Sequence, residues 1–181
     1  MQTVVLGGIF MNRNYIKFLR KSRNQHSVHS PFVFCLLTKG LYPKMTQWRR
    51  YRKKDVFLYR LIAYFKPLSC FVLEGSEKRY KNELKHMTVH SKEISSAQEK
   101  VDMVLLQSSD LQNDLNLTTI LAMMHNDSIL VVDRRIKTPV GEELWDTIVQ
   151  NKVVTASIDF YYFGVAFIRE EQLKQHFILR M

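Results

Sequence analysis

The stretch SCFVLEGSEKRY, residues 69–80, decides how the rest of the chain is read. Its apolar run is short, begins just after Pro67 and stops on Glu74 and Gly75, as a buried strand does when it delivers its end to a turn. In open α/β sheets, turns of this kind at the carboxyl ends of strands are where ligands sit. Downstream, further short apolar runs alternate with polar segments of helical period, the signature of β-α units. The predicted strands are CFVLE (70–74), MTVHS (87–91), VDMVLLQS (101–108), SILVVD (128–133), VTASIDF (154–160) and GVAFIR (164–169). Between the third and fourth, residues 110–127 carry Leu115, Ile120, Leu121 and Met124 at helical spacing. After the fourth, Thr138 caps and Pro139 opens a helix over 139–151, with Leu144, Trp145 and Ile148 on one face. YYFG is too short for a parallel crossover, so the last two strands form an antiparallel hairpin.

Upstream of Pro67 the pattern is helical and strongly basic. NYIKFLRKSR (14–23) sets Tyr15, Ile16, Phe18 and Leu19 against Lys17, Arg20, Lys21 and Arg23, an amphipathic helix. Ser30 caps and Pro31 opens a second helix that ends near Gly40. A third runs over 47–67, with Val56, Leu58, Leu61, Ile62 and Phe65 facing inward and Pro67 ending it. The net charge of +10 is concentrated here: residues 1–66 hold 14 of the 27 Lys and Arg and only one of the 17 acids, Asp55. The expected organisation is a basic helical extension over 12–66 and a shortened α/β domain over 67–181, one compact unit. Because Met11 is followed at once by that basic helix, the first ten residues are either an upstream extension from a misplaced start or a short edge strand.

A length of 181 residues with 46% apolar and 24% charged content suits one packed domain. Cys35 and Cys70 are too few for a disulfide scaffold or a thiolate metal cluster, which points to a reduced, cytoplasmic setting. No apolar stretch approaches the length of a membrane span, and no G-x-S-x-G, H-E-x-x-H or G-x-G-x-x-G is present.

Several words of the sequence resemble the class I S-adenosylmethionine-dependent methyltransferases, in particular a bacterial group with a basic helical N-terminus. NQHSVHSPFVF (24–34), RLIAYFKP (60–67), SILVVDRRI (128–136) and the closing segment from Ser157 to the C-terminus carry the likeness, which extends over most of residues 12–181. The resemblance implies a Rossmann-like, mostly parallel sheet flanked by helices, with S-adenosylmethionine bound at the carboxyl ends of its strands. On that basis Glu74, Gly75, Ser76 and Asp133 are the candidate cofactor residues.

Departures from the family pattern concern that same site. The family places an E-x-G-x-x-x-G turn after its first strand; here Glu74 and Gly75 are followed by bulky charged residues and no second glycine. Too few residues separate Pro67 from VDMVLLQS for the usual β and α units. Either Glu74 is the first-strand acid with the following segment deleted, or 71–84 is the second strand and helix with the first strand gone; the charge pattern favours the latter. Metal-dependent relatives hold a divalent cation with an acid after the fourth strand and an acidic pair after the fifth. Here those places carry Gln107-Ser108-Ser109 and Asp133-Arg134-Arg135, so no metal is expected. The expectation is a methyltransferase-like protein with lost or reduced activity that acts through binding; an active methyltransferase on a small or anionic acceptor is the alternative.

Each candidate residue has an ordinary structural reading as well. Glu74 is also an ordinary strand-end acid, Asp133 a partner for Arg134 or Arg135, His26 and His29 turn and capping residues, His176 a hydrogen-bonding residue and Trp145 core. Finally, QWRRYRKK interleaves Arg49, Arg50, Arg52, Lys53 and Lys54 with Trp48 and Tyr51, a pattern suited to an anionic partner, either nucleic acid or an anionic membrane surface.

Overall fold

In the computed structural model, residues 3–6, 9–44, 46–49, 51–91, 100–108 and 116–181 are described. Strands β1 (Thr3–Leu6) and β2 (Ile9–Asn12) form an antiparallel hairpin of their own, so the expected edge strand does not join the main sheet. Helix α1 (Arg13–Lys21) follows directly. Helix α2 (Pro31–Cys35) starts as predicted: Ser30 Oγ accepts from the Val33 N–H at 3.3 Å, and Pro31 holds the first turn. It continues into a wider π-helical turn over Leu36–Leu41, where Gly40 lets the Tyr64 ring approach to within 3.0 Å of where a Cβ would stand.

The third helix, α3 (Lys53–Phe65), is shorter than expected. Thr46–Trp48 forms a separate 3₁₀ turn, so Arg49 and Arg52 precede the helix rather than lie on it. Asp55 in the first turn favours its positive N-terminal end and offsets Lys53 and Lys54, the two cations that open it. Lys66, at φ 51 in the left-handed region, caps it ahead of Pro67.

The main sheet contains β3 (Ser69–Val72), β4 (Thr88–His90), β5 (Val101–Gln107), β6 (Met124–Asp133), β7 (Ala156–Asp159), β8 (Phe163–Phe167) and β9 (Gln175–Ile178). Their order is β4-β3-β5-β6-β8-β7-β9, and only β8 runs against the rest. The architecture is the predicted mostly parallel sheet with an antiparallel hairpin. The expected helix over 110–127 is reduced to α4 (Leu117–Ala122) within the described residues. Met124, expected on that helix, instead begins β6, where it pairs with Val101. The tail adds β9, parallel to β7, a strand that the sequence does not announce because its exposed residues lack a buried stripe. Helix α5 (Pro139–Gln150) matches the expectation, with Thr138 Oγ1 accepting from the Gly141 N–H at 3.1 Å.

Both sheet faces are covered. On one, Val33, Leu36, Leu37, Phe57, Leu58 and Leu61 of the N-terminal helices share a core with Cys70, Met103, Ile129, Ile158 and Phe163. Phe57 stacks on Phe163 at 4.4 Å and meets Phe160 edge-on at 5.1 Å, contacts worth about 0.5–1.5 kcal/mol each beyond their buried area. On the other face, α4 and α5 bring Ile120, Leu121, Trp145 and Ile148 against Val104, Leu106, Leu130 and Val132. No helix among the described residues is long and apolar enough to cross a membrane.

Candidate functional site

The chain leaves β3 for β4 on one side and then returns to β5 on the other, so the direction of winding switches between β3 and β5. The crevice at the carboxyl ends of these strands is the place where a sheet of this kind offers a ligand site. Four sequence-predicted residues lie around it. Glu74 and Gly75 are exposed in the turn after β3 and Ser76 is buried beneath it, while Asp133 is buried at the end of β6. Gly75 has φ +88, and a Cβ there would meet nothing within 4 Å. The positive φ is reason enough for a glycine here.

The segment after Gly75 differs from expectation. Residues 77–86 form successive turns rather than the helix proposed for them, and they place Tyr80 and Leu84 inside the core. The Tyr80 side chain is fully buried. Its hydroxyl lies 2.8 Å from Asp133 Oδ2 and 3.0 Å from Gln107 Oε1, at the last paired row of β5 and β6. Both oxygens accept from the one Tyr80 hydroxyl, and the ionised carboxylate, the nearer of the two, is the stronger acceptor. Burial first, and then the Asp133 charge, raises the Tyr80 pKa, which keeps the hydroxyl a donor.

Asp133 is saturated by its neighbours. Oδ1 accepts from the Arg135 backbone N–H and from Arg135 Nε, both at 3.0 Å. Oδ2 accepts from Tyr80 and, at 2.6 Å, from Arg135 Nη2. These four bonds use the four lone-pair positions of a carboxylate and leave none for a ribose hydroxyl or a cation. The hydrogen bonds that Arg135 donates to Asp133 raise its pKa, against the opposing effect of burial. Of the two pairings expected for Asp133, the one with Arg135 forms; Arg134 bonds elsewhere. Among the described residues no group of three or more His, Cys, Asp or Glu is placed to hold a metal. Sequence reasoning misses Tyr80, because no regular period marks the inward-facing positions of a segment made of turns.

A second polar centre lies beyond β6. Arg134, almost fully buried, pairs with Glu142 Oε2 at 2.7 Å and with Asp159 Oδ1 at 3.1 Å. Lys137 adds a contact to Glu142 at 3.1 Å and stands over the Tyr161 ring at 4.4 Å. Burial, followed by the Arg134 charge, lowers the Lys137 pKa. Burial alone would raise Glu142, but the hydrogen bond and charge of Arg134, helped by Lys137, hold it below the usual carboxylate range. Tyr161 sits at φ 71 in the hairpin turn, its N–H held by Asp159 Oδ1 at 2.6 Å, and its ring meets Tyr15 and Phe18 of α1 at 4.8 and 5.3 Å. A cleft of about 470 Å³ opens between α1 and this centre, lined by Lys17, Phe18, Lys21, Lys137, Thr138 and Tyr161 among others.

The basic run is dispersed by the fold. Arg49, Arg52 and Lys53 are exposed, Lys54 stands 5.3 Å from the centre of the Tyr162 ring, and Arg50 and the Trp48 side chain lie outside the described residues. His26 is exposed at the centre of a 3₁₀ turn, and its N–H bonds Asn24 Oδ1 at 3.2 Å. His176 Nδ1 lies 2.9 Å from Ser157 Oγ, the hydrogen-bonding role expected of it, and burial lowers its pKa. Trp145 is core, as expected.

No known protein-family profile and no curated protein matches the chain. Among solved structures, the chain is similar to a methyltransferase from Geobacter sulfurreducens at 10% identity, over 79% of this chain and 98% of that one, with a TM-score of 0.47. It is also similar to the SAH-bound methyltransferase PaMTH1 of Podospora anserina, at 11% identity over 87% and 93% of the two chains, with a TM-score of 0.42.

Proposed function

We propose that the chain is a methyltransferase-like protein in which the S-adenosylmethionine site is closed and methyl transfer is lost or much reduced, so that it acts by binding. The observation that carries this reading is Tyr80. Its ring, with no exposed surface, caps the ends of β5 and β6, and its hydroxyl and Arg135 saturate Asp133. The residues present do not fit an adenosine group there. Glu74 is exposed above the crevice, no second glycine follows Gly75, and the neighbouring carboxylate has no free lone pair. Calorimetric titration of the full chain with S-adenosylmethionine and S-adenosylhomocysteine should give no binding heat at millimolar ligand. Micromolar binding that disappears in Glu74→Ala would overturn the reading and restore an active enzyme.

The binding activity is assigned to an anionic partner at the basic N-terminal region, where the sequence runs through Arg49, Arg50, Arg52, Lys53 and Lys54 into the start of α3. Retention on heparin and on anionic liposomes separates a nucleic-acid-like partner from a membrane surface. An Arg49, Arg50 and Arg52 triple alanine variant should elute earlier from one of the two, and equal retention on both removes the partner. The reduced, cytoplasmic setting proposed for it is in keeping with Cys35 and Cys70, which are both free thiols.

A further inference from the structure

Two segments distant in the sequence meet at a second cleft, which shares Lys21 and Ile178 with the one beside the Arg134 centre. His29, from the loop before α2, and His176, on the edge strand β9, line a hollow of about 470 Å³ together with Lys21 at the end of α1 and Arg23 just after it. No carboxylate is among its lining residues. Its walls are held by backbone bonds: the Arg23 N–H donates to Ile178 O at 2.8 Å, and the Arg180 N–H donates to Arg23 O at 3.2 Å. Ser157 occupies Nδ1 of His176 and so leaves Nε2 as the nitrogen available to a ligand. The nearby acid Asp159 is already paired with Arg134.

We propose that this cleft binds a phosphate-type oxyanion, as a free phosphomonoester or a phospholipid headgroup, through Lys21, Arg23, His29 and His176. Two permanent cations among the lining residues, with two imidazoles beside them and no carboxylate in the lining, can supply charge-assisted hydrogen bonds to several oxygens of one tetrahedral anion. Phe177, Ile178 and Leu179 are the apolar lining residues of the cleft, and an apolar wall suits the organic part of an ester. The volume lies within the range of small-molecule sites. Such a site depends neither on closure of the crevice under Glu74 nor on the cations before α3.

Inorganic phosphate and glycerol 3-phosphate, titrated into the full chain at constant ionic strength and followed by amide chemical shifts, should saturate with millimolar affinity. The moving amides should be those of residues 21–29 and 175–179. A Lys21→Gln and Arg23→Gln double variant should bind at least about tenfold more weakly, the scale expected when two charge-assisted contacts are lost. Should that variant melt far below the native chain, His29→Gln, an exposed substitution, serves with the same expectation and a smaller factor. In a second arm, sedimentation with phosphatidic acid vesicles is compared with phosphatidylcholine vesicles. Saturation by free phosphate assigns the site to a phosphomonoester; capture by phosphatidic acid alone, reversed in the variant, assigns it to a headgroup. Linear, unsaturable shifts with no vesicle capture, or variants that bind as the native chain does, would overturn the proposal.

Discussion

Removing one oxygen atom, in Tyr80→Phe, tests the closure of the crevice most directly. The ring has no exposed surface and keeps its place in the core, so the cost is that of the hydroxyl alone. A hydrogen bond to an ionised acceptor contributes about 1.5–3 kcal/mol. Asp133 retains its bonds to Arg135, and Arg135 is partly open to solvent, which places the loss in the lower part of that range, about 1.5–2 kcal/mol. For a domain of this length each kcal/mol lowers Tm by about 2–4 °C, so the variant should melt about 3–8 °C below the native chain in a calorimetric scan near neutral pH. A double-mutant cycle with Asp133→Asn isolates the pair: Tyr80→Phe should cost clearly less once the carboxylate is an amide, giving a coupling of about 1 kcal/mol or more. Tyr80→Ala should cost about 3–5 kcal/mol, because it empties a ring-sized volume as well. A Tyr80→Phe shift under about 1 °C, well below the size-scaled expectation, together with additive behaviour in the cycle would refute the claim that the hydroxyl locks the ring over the strand ends.

The scaffold around the two centres is open to the same kind of test. A Cβ at Gly164 would stand 2.5 Å from the Trp145 ring, which is itself buried, so Gly164→Ala should destabilise by about 1–3 kcal/mol in urea unfolding; no loss would mean that β8 and α5 are not in tight contact. Asp102 accepts from the Leu68 and Ser69 N–H groups at 2.8 and 2.9 Å and lies 3.0 Å from His125, so Asp102→Ala should cost about 1–2 kcal/mol by leaving these donors to water. Burial pulls its carboxyl upward, but the His125 and backbone bonds outweigh that and hold it below 3.8. The stabilisation is therefore present above about pH 4 and is lost as pH falls through the depressed value, so the Tm gap between native and Asp102→Ala should stay constant above about pH 4 and narrow below it. Arg134→Ala breaks a buried pair and should cost about 3–5 kcal/mol in the same unfolding assay; a value near that of an exposed arginine would mean that Glu142 and Asp159 find other partners.

Strands β5, β6 and β8 are legible in the sequence because Val104, Leu106, Leu130, Val132 and Val165 are buried in short β-branched runs, and a sheet covered on both faces leaves that continuous signal. The caps at Ser30 and Thr138 are legible because their chemistry is local. Strand β9 is not, since its pairing with β7 is made by backbone groups while its side chains stay largely in water. Met124 misleads for a related reason: an apolar residue following Ile120 and Leu121 continues a helical period, and only its pairing with Val101 turns it into sheet. At the candidate site the absence of a second glycine and of a second acid can be read directly. The position of Tyr80 cannot, because its partners lie 27 and 53 residues away.

The short crossover and the filled crevice have a common physical origin. Parallel neighbours such as β3 and β4 need a connection that also covers the sheet, a task usually given to a helix. Residues 73–87 must leave Val72, turn at Gly75, and rejoin the edge at Thr88, and they do so in turns that cover little surface. The apolar ends of β3 and β5 would then face water unless side chains from those turns were laid over them. Tyr80 and Leu84 take that place, joining Cys70, Val72 and Leu105 in one cluster. A ring that reaches this far also brings its hydroxyl to the end of the sheet, where burial demands a partner and Asp133 provides one. A connection made in turns rather than a helix thus lays, through packing alone, an aromatic ring over the carboxyl ends of these strands.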